Sequence, residues 1–73
     1  MNSIEESKRL ATTLLLDAWE NAAARGTPNT ELAEICLYMA LTELVDQVGE
    51  ETTASFVEGL VSRVRNGEFS LKS

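Results

Sequence analysis

The stretch Ile35-Cys36-Leu37-Tyr38-Met39-Ala40-Leu41 constrains this chain more than any other, because seven successive residues carry neither a charge nor an amide. It lies at the centre of a helical pattern running from Glu31 to Val48. Leu32, Ile35, Cys36 and Met39 form one apolar stripe there, and Ala33, Leu37, Ala40, Leu41, Leu44 and Val48 form a second about a third of a turn away. Glu43 interrupts the first stripe and Asp46 edges it. A helix apolar nearly all round must be covered on at least two sides.

The flanking segments read as two further helices. Ser3 and Glu6 have the spacing of a capping box, which sets the first helix at about 4–25. Ile4, Ala11, Leu15, Ala18 and Ala22 define its apolar stripe, widened by Leu14 and Trp19, and Arg9, Asp17, Glu20 and Asn21 lie opposite. Glu5 and Arg9 stand in the favoured i, i+4 order. Arg25 and Gly26 end the helix with a cation and a residue suited to the left-handed cap.

Thr27-Pro28 opens the second helix, with Thr27 expected as its cap and Pro28 at its first position, over about 28–48. Gly49 then breaks or kinks the chain, and Glu50 and Glu51 suit the positive end of a third helix at about 50–66. Thr53, Val57, Leu60, Val61 and Val64 form its apolar face, with Phe56 and Ala54 at the margins and Gly59 opposite. Gly67 stops it, and in the tail, 67–73, Phe69 and Leu71 are expected to dock back onto the fold. The expected architecture is all-α: one domain over 1–73, a small three-helix bundle running up-down-up and completed by homodimerisation.

Seventy-three residues bury only about 60% of the surface that the unfolded chain exposes, so the core is thin. Composition, 44% hydrophobic with four Gly and one Pro, suits a folded soluble domain and not a disordered one. The apolar run is far shorter than the roughly 20 residues of a spanning helix. Glu5 and Glu6 stand where a secretory leader carries positive charge, so the expectation is a cytoplasmic protein with no targeting segment.

Six basic against twelve acidic residues give a net charge of −6, which repels phosphate backbones and anionic lipid and disfavours nucleic acid and membranes as partners. A helix-turn-helix outline around Gly49 meets the same objection, because its recognition helix would present Glu50 and Glu51 to phosphates. One cysteine and no histidine exclude an intramolecular disulfide, a Cys/His zinc site and an imidazole base. Glu31 with Glu34, and Glu43 with Asp46, share helix faces, but without histidine they do not make a di-iron site and read as solvated acid. Cys36, mid-helix in the apolar run, is expected to be buried and inert. No Gly-rich loop followed by Lys-Ser or Lys-Thr opens a helix, so no phosphate cradle is present.

No catalytic, cofactor or metal-ligating residue is therefore identified, and the chain is expected not to be an enzyme. The expected role is a protein–protein interaction module, adaptor or regulator, acting as a homodimer on an unidentified protein partner. The alternative is an acidic mimic of nucleic acid that blocks a basic groove. Candidate interface residues are Leu37, Tyr38, Met39, Leu41 and Leu44, with Trp19 as core or anchor.

Overall fold

A computed structural model describes residues 3–71. The chain is all-α: α1 Ser3–Ala24, α2 Asn29–Val48 and α3 Glu50–Arg65, with no strand among the described residues. Each helix boundary falls within a residue of its expected place. At the start of α2 the difference has a visible cause. The Leu32 N–H donates to the Pro28 carbonyl at 3.1 Å, so Pro28 accepts the first helical bond and Asn29 becomes the first helical residue. Proline loses nothing there, having no N–H to satisfy.

Two helices end in the same way. Gly26 takes φ 104, with its N–H donating to Ala23 at 3.0 Å and the Thr27 N–H reaching back to Ala22 at 3.1 Å. Gly67 takes φ 83, with bonds from its N–H to Val64 and from the Glu68 N–H to Arg63, both 3.1 Å. Both are Schellman closures, in which a residue beyond the left-handed glycine satisfies a carbonyl of the last turn. The side-chain contact that usually accompanies the motif is apolar. In α3 it is ionic: Arg63 Nε meets Glu68 Oε1 at 2.9 Å.

Gly49 joins α2 to α3 by itself. Its N–H donates to the Val45 carbonyl at 2.9 Å, closing the last turn of α2, and its own carbonyl accepts from Thr53 at 3.1 Å, opening α3. With φ 87 and ψ 167 it occupies a backbone region open essentially only to glycine. The expectation left open a break or a kink, and the structure has a break into two helices. No side chain caps α3, whose first turn carries Glu50 and Glu51 toward the positive end of the helix dipole.

The chain divides into two compact units, Met1–Cys36 and Leu37–Ser73, with the division falling inside α2. In each unit, burial is greatest near the helix connection and fades away from it. In the first unit Leu32 is 9% exposed and Trp19, Ala22 and Thr27 are half-buried, whereas Leu15, Leu14, Leu10 and Ile4 lie progressively farther from the turn and are all exposed. In the second, Thr53 is 5% exposed, Val57 and Leu60 are half-buried, and Val64 on the same row is exposed. Along α2 the half-buried Leu44 and Leu41 give way to exposed Leu37.

Two glycine substitutions test this account of the backbone. Gly49→Ala forces a β-carbon into the left-handed region and should cost about 1–3 kcal/mol. Gly59, inside α3 with nothing within 4 Å of an added β-carbon, should gain about 1 kcal/mol on replacement by alanine. Urea unfolding followed by circular dichroism reads both, and shifts of the same sign would contradict the argument.

Candidate interaction surface

The acidic pairs singled out by their spacing stand on helix surfaces. Glu31 and Glu34 are exposed, as are Glu43 and Asp46, and Gln47 Nε2 donates to Glu43 Oε1 at 3.0 Å. Among the described residues no three His, Cys, Asp or Glu side chains lie together as metal ligands would. No described helix is long and apolar enough to cross a membrane.

Cys36 departs from expectation. It is exposed, not buried. The expectation assumed that an apolar segment is covered by its own chain, and at the middle of α2 it is not: Ile35, Leu37, Tyr38 and Met39 are all exposed, Met39 by 67%. Each apolar stripe of α2 is covered at one end only, the first at Leu32 and the second at Leu41 and Leu44. Of the candidate interface residues, the structure thus leaves Leu37, Tyr38 and Met39 open and Leu41 and Leu44 half-covered. These last two flank the open segment on its C-terminal side.

Trp19 sits elsewhere, in the first unit. It is half-buried, and its indole N–H donates to Asn29 Oδ1 at 3.2 Å, tying α1 to the first residue of α2. That bond supplies the acceptor a covered tryptophan needs. Trp19 therefore belongs to the connection between α1 and α2.

Sequence reasoning underestimated α1. Its stripe was expected to face a core, yet none of its residues is buried, and Ile4, Leu10, Leu14, Leu15 and Leu16 are each more than half exposed. Periodicity identifies the face, and it does not say whether the chain itself covers that face. Phe56, Val61 and Val64 of α3 are likewise open.

The tail folds back only in part. Arg63, paired with Glu68, also stands 5.2 Å from the centroid of the Phe69 ring, a cation–π distance. Phe69 is nevertheless more than half exposed and Leu71 fully so. The expected docking of Phe69 and Leu71 onto an apolar surface is replaced by a single polar clamp at Arg63. Residues 72 and 73 lie outside those described. With both partners about half exposed, the ion pair contributes at most roughly 1 kcal/mol.

Thr53 Oγ1 is buried without a hydrogen-bond partner, which costs about 1–3 kcal/mol.

No protein-family model, curated protein or solved structure matches the chain.

Thr53→Val keeps the shape of the side chain and removes the orphaned hydroxyl, so it should raise stability by about 1–2 kcal/mol in urea unfolding. Asn29→Ala removes the acceptor for the Trp19 indole and should lower stability by about 0.5–1.5 kcal/mol, with a red shift of Trp19 fluorescence as the connection loosens. Unchanged emission would mean that Trp19 is held by something other than Asn29.

Proposed function

We propose that this protein is a non-enzymatic interaction module, an adaptor or regulator that works as a homodimer before it engages a further protein. The observation that carries this is the apolar surface left uncovered on every helix.

Magnitudes show which surfaces such a dimer needs. A large aliphatic side chain contributes about 1.5–3 kcal/mol when fully buried, so one already partly covered has roughly 1–2 kcal/mol left to realise. Four such residues from each of two copies reach the same size as the roughly 4–15 kcal/mol cost of association. A single helical row therefore leaves affinity marginal, and a stable dimer needs more than one; the α2 residues Leu37, Tyr38 and Met39 are open to supply part of it.

Acidic mimicry of nucleic acid is the second reading, favoured by a net charge of −6 spread over all three helices. Salt separates the two. Self-association between like-charged copies is strengthened as ionic strength rises, whereas affinity of an acidic mimic for a basic groove collapses.

Light scattering at tens of micromolar should return twice the monomer mass, and more firmly at higher salt. Met39→Asp places a charge on an exposed position, so it should halve that mass while leaving the helical circular dichroism intact. A monomeric parent protein rules the proposal out, and a Met39→Asp variant that stays dimeric removes α2 from the interface.

A further inference from the structure

We propose that Asn66 is a site of spontaneous self-modification, in which the backbone nitrogen of Gly67 attacks the Asn66 side chain, and that the closure at the end of α3 controls when this happens. An asparagine side chain reaches the next backbone nitrogen most readily when that residue is glycine, which has no β-carbon to obstruct the approach. Asn66 precedes Gly67, whereas Asn2, Asn21 and Asn29 precede Ser3, Ala22 and Thr30. Both Asn66 and Gly67 are exposed, so water and base reach the bond.

The reaction needs only the chain and water. The Gly67 nitrogen forms a bond to Cγ of Asn66 and gives up its proton. The bond from Cγ to the side-chain nitrogen breaks, and that nitrogen departs with the proton as ammonia. The cyclic imide left behind adds water at either carbonyl. Breaking the new bond gives aspartate, and breaking the original peptide bond gives isoaspartate, in which the main chain runs through the side-chain carbon.

The folded backbone opposes the attack in two ways. Asn66 has φ −78 and ψ −1. Ring closure needs the Gly67 nitrogen eclipsed with the Asn66 β-carbon, a rotation of about 120° into a region that sterics disfavour. The Gly67 N–H is also engaged, donating to Val64 at 3.1 Å, with the Glu68 N–H bonded to Arg63 just beyond it. The clamp of Arg63 on Glu68 at 2.9 Å and on the Phe69 ring at 5.2 Å holds the same segment. All of these residues are exposed, so the turn opens at far lower cost than the helices unfold.

Modification runs one way. Either product adds a carboxylate to a chain already at −6, at the negative end of the α3 dipole. Position 66 is a helical neighbour of Arg63, so the new carboxylate competes with Glu68 for the guanidinium. Isoaspartate also lengthens the backbone between bonds that the Schellman closure needs in register. The segment from Gly67 to Leu71 is thereby released, and Phe69 leaves Arg63.

The test follows the peptide containing Asn66 by mass spectrometry, with enzymatic methylation to count isoaspartate, while the protein stands in warm, mildly alkaline buffer. In urea the parent chain should deamidate at Asn66 ahead of Asn2, Asn21 and Asn29, and Gly67→Ala in urea should lose that preference. Folded, the parent should react about tenfold more slowly than in urea. Glu68→Gln, an exposed change checked by circular dichroism, should speed the folded reaction about twofold to fivefold. Modification of Asn66 in urea no faster than at the other asparagines overturns the site. Equal rates folded and in urea overturn its protection by the closure, and an unchanged rate in Glu68→Gln overturns the part played by the clamp. Modified and unmodified protein separate by charge, and chymotrypsin should cut after Phe69 faster in the modified fraction; equal cutting overturns the release of the tail.

Discussion

A helix whose circumference is apolar on several sides has more surface to hide than short neighbours can cover, and the rest of this structure follows from that imbalance. α2 meets it only at its ends. Near the turn that follows α1, Leu32 is covered, and near the Gly49 joint Leu41 and Leu44 are half-covered. Between them, Ile35 to Met39 remain in water. Small folded chains have a thin core in any case, and here the described core consists of one leucine and one threonine.

Local devices do much of the work that a core does in larger proteins. The two Schellman closures satisfy backbone groups at Gly26 and Gly67, and Gly49 leaves none of its own unsatisfied while changing the direction of the chain. The Trp19–Asn29 bond and the Arg63 clamp on Glu68 and Phe69 act over short sequence distances. Contacts of this kind define helices and their ends. They contribute little to cooperativity, which comes from burying apolar area at long range. On the proposed reading, association completes the core of such a chain, as it does in other small domains that need oligomerisation.

The same imbalance connects fold to role. On the reading proposed above, recognition falls to apolar side chains set among carboxylates. A face that is apolar on one side of α1 and a second apolar segment on α2 give two surfaces of different kind. The first carries Ile4, Leu10, Leu14 and Leu15 in the open. The second is open all round and suited to being enclosed from several directions.

Much of the local structure was legible in the residues themselves. Helix positions follow from the 3.6-residue periodicity, and the stops at Gly26 and Gly67 from the preference of glycine for the left-handed region that a Schellman closure requires. The excess apolar circumference of α2 was also readable, because counting faces needs no coordinates. Which of those faces the chain covers was decided only in three dimensions. The exposure of Cys36, the empty face of α1, the seating of Trp19 against Asn29 and the orphaned hydroxyl of Thr53 all depend on how far a neighbouring helix extends along its partner. Periodicity records the direction in which a side chain points; burial depends on whether another part of the chain arrives there, and that distance is a property of the tertiary structure alone.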